Sequence, residues 1–536
     1  MAASTSSSIP DNVEKSASVE KSASAEDYEM VHAPVEENPE FVVDDVKRNR
    51  RQRIADGFTV LAAGFALISD GYQNSMMTMM NVTFQERYGK EVYNSTVSTR
   101  VSNALLVGEV IGMIVIGLTC DYMGRKTAIV VTTILIVLGG IMATASHGVT
   151  TDGMFWMLVV SRGVIGFGSG GEYPAASTSA SEAANEKHLR KRRGAIFVLC
   201  TNLPLSFGNP FCVIVFLIVY AACGFKGQHL STVWRTCMGI GCIWPLTVFY
   251  FRLKMAQPRL YTKSAIKKSV PYWLILKFYW RTIIGTAGTW FIYDFVVFPN
   301  GVFSGSIIAT IIKPDEPDKL LKTAEWQLLI GAIGLPGVFI GAWLCENRVL
   351  GRKYTMLIGF ALWIVVGLII GCAYTPLKRS TGAFVFMYGM LSSSGNLGPG
   401  NMLGLVSSEA YATAVRGTLY GFSAAVGKAG AAVGTQVFKP IQGNLGDRWT
   451  FIIAAILGLC GVIVTLFFVP RLNGEDLEEE DVRFKQFLRA HGWEGEFGTV
   501  ADKVDDIEET TSDEAHDTDG IETQQIITET PNKMSN

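Results

Sequence analysis

Residues 117–126 read G-L-T-C-D-Y-M-G-R-K, and the chain returns to Gly351-Arg352-Lys353 at an offset of 227, Arg352 answering Arg125. A second match falls at the same offset: Ser181-Glu182-Ala183 recurs as Ser408-Glu409-Ala410, each followed by an Arg-Gly pair, Arg193-Gly194 and Arg416-Gly417. Two independent matches at one spacing mark an internal duplication.

Between these marks the chain is apolar. Hydrophobic residues make up 49% and charged residues only 18% of the 536 positions, an unusual balance for a water-soluble domain. Stretches able to span about 30 Å of hydrocarbon run at about 57–80, 101–120, 127–147, 154–181, 195–223 and 234–252, then at about 282–312, 326–346, 354–374, 383–408, 417–438 and 449–470. The expected fold is therefore an all-α integral membrane protein of twelve helices in two six-helix pseudo-repeats. Its expected parts are a disordered N-terminal tail (1–53), a first half (54–252), a linker (253–280), a second half (281–471) and an acidic, disordered C-terminal tail (472–536). The linker carries Lys254, Arg259, Lys263, Lys267, Lys268 and Lys277 beside Tyr272, Trp273, Tyr279 and Trp280, a basic and aromatic mixture suited to a membrane interface.

Lys and Arg collect in cytoplasmic loops. Arg125, Lys126, the run Lys187 to Arg193, the linker, Arg348 to Lys353 and Arg416 all fall in even-numbered loops, which predicts that both termini are cytoplasmic. The first external loop then carries Asn94-Ser95-Thr96, a glycosylation sequon at Asn94. The amino terminus has no apolar segment of a cleaved signal, and both tails have disordered composition. Lys15 and Lys21, in repeated E-K-S-A-S text, are candidate modification sites for turnover, and the tails are candidate targets of ubiquitin or phosphorylation machinery. The nine cysteines lack paired spacing and the six histidines are dispersed, so neither a disulfide framework nor a metal site is expected. No cofactor, nucleic-acid partner or enzymatic activity is expected; Gly166-x-Gly168-x-x-Gly171 lies inside an apolar helix and reads as close helix packing rather than a dinucleotide motif.

Charge inside the spans points to function. Residues 166–174, G-F-G-S-G-G-E-Y-P, set Glu172 in an apolar segment; such a carboxylate costs roughly 2.5–3.5 kcal/mol on insertion scales and usually faces a cavity, an ion path or a partner. At about 1.5 Å per residue, Glu172 lies roughly 15 Å from the level of Glu182 and Lys428 roughly 18 Å from that of Arg416. Asp70 and Asp294 reach similar depth, so a midplane cavity with three acids and one lysine is expected. A lysine is a point charge suited to an anion, and a carboxylate held away from water can carry a proton.

The motif Gly117-x-x-x-Asp121-x-x-Gly124-Arg125-Lys126 resembles the loop signature of the major facilitator superfamily, and Arg162-x-x-x-Gly166-x-Gly168 resembles a second signature on its fourth helix; the likeness covers roughly residues 50–471. Such loop charges latch the halves in one state and part in the other, which makes Asp121, Arg125, Glu182, Arg193, Glu346, Arg352, Glu409 and Arg416 the expected cytoplasmic gate. More narrowly, Gly170-Gly171-Glu172-Tyr173-Pro174, Trp290-x-x-x-Asp294 and Gly427-Lys428 resemble the phosphate:proton symporter branch. That resemblance implies proton coupling by Asp70, Glu172 and Asp294, and a substrate site of Tyr173, Trp290, Asp294 and Lys428, with Asn202 and Asn401 beside them. Two departures stand out: Gly398-Pro399-Gly400 replaces G-P-N, shifting Asn401 by one, and Thr201-Asn202-Leu203-Pro204 holds no glutamine. Both losses enlarge the site, in favour of a phosphate ester over phosphate. Asp70-Gly71-Tyr72-Gln73-Asn74 and the run Asn401 to Ala410 resemble the fungal glycerophosphodiester permeases, which implies proton-coupled plasma-membrane uptake of glycerophosphoinositol or glycerophosphocholine. Inorganic phosphate:proton symport, sugar transport and a nutrient-sensing transceptor are the competing readings.

Overall fold

The computed structural model describes residues 67–184, 192–225, 227–254, 270–313, 316, 318–472, 477–493 and 495. Regular structure among them is helical throughout. Helix α1 occupies residues 67–92, α2 Ser95–Met123 and α3 Arg125–Thr144. Helix α4 runs over Thr151–Glu172, widens into a π turn at Tyr173–Ser177 and resumes at Thr178–Ala184. Next come α5 (Arg193–Ala222) and a divided α6 (Leu230–Ile240 and Ile243–Lys254). The second half holds α7 (Tyr272–Ile311), α8 (Lys319–Cys345), α9 (Gly351–Cys372), α10 (Thr381–Gly395, a π turn Asn396–Gly400, then Asn401–Glu409), α11 (Arg416–Leu445) and α12 (Arg448–Phe468). A further helix, α13, covers Leu477–Ala490.

Local chemistry explains the ends. Asn94 caps α2 by accepting from Val97 N at 3.0 Å, and Thr150 caps α4 by accepting from Gly153 N at 3.1 Å. The glycines of both G-R-K marks sit in the region closed to most side chains, Gly124 at φ 90° and Gly351 at φ 57°. The duplicated signature thus repeats a backbone corner as well as a charge.

Glycine also sets helix spacing. A Cβ at Gly166 would fall 2.1 Å from Leu105 O, and one at Gly434 would fall 2.1 Å from Phe295 O, so α2 meets α4 and α7 meets α11 backbone to backbone. The glycines at 166–171 are packing residues, as close small-residue contacts in lipid require. Helices α2 with α11 and α5 with α8 form the seams between the halves.

Among the described residues, seven helices (α2, α3, α5, α7, α8, α9 and α12) are long and apolar enough to cross a membrane. Helices α4, α10 and α11 do not qualify, being interrupted by π turns or diluted by glycine and polar residues. Two expectations are corrected. Helix α7 begins at Tyr272, inside the stretch expected as linker. The tail after Arg471, expected to be disordered on its acidity, contains α13: Leu477 is buried, and Phe484 and Leu488 are buried in a cluster with Tyr279, Tyr411 and Val415. Average composition hides such a stripe, because apolar residues at helical spacing need only one face.

Candidate functional site

Lys428 on α11 is the one buried lysine among the described residues. Its Nζ lies 3.5 Å from Glu109 Oε2 on α2 and 3.7 Å from Asp294 Oδ2 on α7. It also stands 3.6 Å over the ring of Phe298 and 5.3 Å from that of Tyr173. Asn74 on α1 bridges onward, donating to Asp70 Oδ1 and to Glu109 Oε1, each at 2.9 Å. Three carboxylates and one ammonium from four helices thus form one cluster.

The sequence builds this crossing with small residues. A Cβ on Gly427 would fall 2.3 Å from Trp290 Cδ1, so glycine beside Lys428 is what lets the indole lie there. Gly170 does the same for α2, where a Cβ would meet Glu109 O at 2.3 Å. Pro174 and Pro399 sit in the two π turns; proline lacks the N–H that a regular helix would use, and π turns recur at functional sites.

A cavity of about 250 Å³ opens beside the cluster, lined by Tyr173, Asn202, Trp290, Asp294, Asn401 and Lys428. Those six sequence-picked residues are therefore brought together. Asp70 is buried behind the wall, reached through Asn74, which lines the cavity. Glu172 is buried in α4 and is not on the cavity wall. Glu109 was missed, although an acid inside the apolar run 101–120 satisfied the criterion that singled out Glu172. Asn202 donates to Asn401 Oδ1 at 2.6 Å, and Asn401 donates to Val338 O at 2.9 Å, so the two amides join α5, α10 and α8. Gly400 faces the same space: a Cβ there would lie 2.8 Å from Tyr293 Oη and 3.2 Å from Asn396 Oδ1.

The gate residues lie at the end carrying the basic loops. Glu409 accepts from Arg193 Nε at 2.9 Å across the halves and from Arg352 Nε at 3.0 Å within its own half. Glu346 accepts from Ala195 N at 2.7 Å, and Asp121 accepts from Thr418 N at 2.7 Å, both across the halves. Arg416 is buried and donates to Tyr411 O at 3.2 Å. The side chains of Arg125 and Glu182 lie outside the described residues. Burial makes Arg193, Arg352 and Glu409 a different case from exposed pairs: a buried pair that loses a partner leaves an uncompensated charge. At the opposite end Thr78 donates to Gly301 O at 3.1 Å and Asn81 to Val302 O at 3.2 Å, again between the halves.

The model of one transporter family, described as "Sugar (and other) transporter", matches residues 57–264 and 261–484. The chain belongs to the sugar (and other) transporter family. Members share the major facilitator fold, and the solved proton:xylose symporter XylE of E. coli, bound to 6-bromo-6-deoxy-D-glucose, is a structural neighbour with a TM-score of 0.68 at 14% identity, covering 81% of this chain and 100% of that one. Within the family, "Glycerophosphoinositol permease 1" of Candida albicans is 57% identical over 471 residues, covering 87% of this chain and 89% of the relative. "Glycerophosphoinositol transporter 1" of Saccharomyces cerevisiae is 52% identical over 468 residues, covering 86% and 89%. This family member is a multi-pass membrane transporter and not an enzyme.

Proposed function

We propose that the protein takes up glycerophosphodiesters, glycerophosphoinositol or glycerophosphocholine, together with protons across the plasma membrane by alternating access, with both termini cytoplasmic. The observation that carries this reading is Lys428 held between Glu109 and Asp294 on the wall of a cavity shared by both halves. A phosphodiester bears one negative charge. With Asp70, Glu109 and Asp294 all ionised, three negative charges against one positive would repel it. Protonation of the carboxylates nearest Lys428 frees the ammonium for the phosphate, so anion binding and proton binding favour each other at one place. Glu172, buried in α4, completes the proposed proton path with Asp70. Tyr173, Trp290, Asn202 and Asn401 complete the substrate wall, and the room kept open by Gly400 suits the ester group beyond the phosphate. The names of the two fungal relatives support the substrate class.

Access alternates if the bonds of Arg193, Glu346 and Asp121 across the cytoplasmic end and those of Thr78 and Asn81 across the external end break in turn. The driving force is about 2.3 kcal/mol per 100 mV for each net positive charge moved inward, plus about 1.4 kcal/mol per proton for each unit of external acidity. The test is initial uptake of labelled glycerophosphoinositol, glycerophosphocholine and phosphate in yeast lacking its own carriers for them. Acid-stimulated diester uptake that a protonophore abolishes is the expected result. Uptake of phosphate alone makes it a phosphate symporter, and no uptake of any of the three points to a sensor.

A further inference from the structure

A second cavity, of about 770 Å³, lies on the outer flank of the bundle between α2, α4 and α11. It is far along α11 from Lys428 and shares no lining residue with the central cavity. We propose that it binds an anionic glycerophospholipid, phosphate at Arg100 and Lys439 and one acyl chain along Val107, Ile111 and Phe167.

Depth is the first argument. Helices α2 and α11 have 29 and 30 residues; at about 1.5 Å per residue each is roughly 44 Å long, about 14 Å more than the hydrocarbon, or about 7 Å at either end. Arg100 is five residues from the start of α2 and Lys439 six from the end of α11, roughly 7 to 9 Å inward. Both cations therefore stand where lipid phosphates meet the acyl region, at the end opposite the basic loops.

Unused polar capacity is the second. Arg100 is oriented by Asp152 Oδ1 at 3.1 Å and by the Trp156 ring at 4.1 Å, yet its Nε is buried with no hydrogen-bond partner. Lys439 Nζ lies 4.8 Å over the Phe303 ring, with no salt bridge among the described residues. Asn103, 6% exposed, donates to Ala432 O at 3.1 Å while its Oδ1 is buried and unpartnered; it can accept from a head-group hydroxyl or ammonium. Two cations against the single carboxylate of Asp152 favour a head group of net negative charge. The third argument is the apolar slope: Val107 and Ile111, 50% and 49% exposed, continue the groove one and two turns or more deeper into the membrane. A free phosphate would use the cations and leave that slope bare. Because α2 belongs to one half and α11 to the other, a lipid seated here braces their seam.

The full chain, purified and exchanged into phosphatidylcholine nanodiscs, is challenged with dioleoylphosphatidylserine, with further phosphatidylcholine, or with inorganic phosphate. Retained lipid is read by native mass spectrometry and stability by thermal melting. The expected result is selective phosphatidylserine retention and a raised melting temperature, with retention falling about tenfold in R100Q/K439Q, the loss of one or two charge-assisted contacts. Equal retention in the double variant overturns the site, and an equal shift from inorganic phosphate reassigns it to a soluble anion. Should R100Q/K439Q fail to fold, K439Q alone decides, since Lys439 makes no salt bridge among the described residues: reduced phosphatidylserine retention supports the site and unchanged retention overturns it.

Discussion

Lys428 keeps its two carboxylates at 3.5 and 3.7 Å, longer than the 2.7–2.9 Å or so of a direct charge-assisted hydrogen bond, a loose hold that an incoming anion can replace. Lys428→Ala should weaken apparent substrate affinity by about 10- to 100-fold, the worth of a hydrogen bond to a charged group, or stop transport; wild-type uptake kinetics would remove the lysine from the anion site. Glu109→Gln and Asp70→Asn should each abolish accumulation against a gradient while leaving exchange, measured as counterflow in vesicles at equal pH. Gly400→Ala would place a methyl 2.8 Å from Tyr293 Oη, and diester uptake should fall more than any phosphate uptake does. At this scale the sequence was partly legible. Asp70, Asp294 and Lys428 announced themselves as charges in apolar runs, and counting turns put them at one depth. Which carboxylate faces the lysine depends on helix rotation, which depth does not give; hence Glu109 went unread while Glu172, at a comparable level, proves to be buried in α4 away from the cavity wall.

Helices are where hydropathy reads most directly, and the twelve apolar stretches correspond to α1 to α12. Three things escaped it. The π turns of α4 and α10 are set by backbone bonding around Pro174 and Pro399, the break in α6 falls at Gly241 and Cys242, and α13 depends on a stripe that its acidic average conceals. The gate is an assembly of elements. Glu409, on the last turn of α10, is shared by Arg193 of α5 and Arg352 of α9. Glu409→Gln should weaken the closed basic end by about 3–5 kcal/mol, as expected when one partner leaves a buried ion group. Cys345 reports on this, since it is buried and its carbonyl accepts from Arg352 Nη1 at 3.0 Å. Maleimide labelling at Cys345, read by peptide mapping, should accelerate in the variant; an unchanged rate would mean that the pair does not hold that end shut. Docking of α13 is testable separately: Phe484→Ala should cost about 3 kcal/mol and lower the melting temperature, because Phe484 is buried against Phe278 and Tyr279.

For the molecule as a whole, the duplication explains why a charge cluster can sit between halves that move: Asp70 and Glu109 belong to the first copy, Asp294 and Lys428 to the second. Among the described residues, seven helices are long and apolar enough to cross a membrane, whereas α4, α10 and α11, which do not qualify, carry the π turns and Lys428. During synthesis, α4 and α11 are expected to need their packing neighbours, α2 and α7, to cover their polar surface from acyl chains. Biogenesis and transport therefore draw on the same residues. A substitution in the site can lower the number of molecules reaching the cell surface as readily as the turnover of each, and only uptake normalised to surface abundance tells a broken carrier from one that was never assembled.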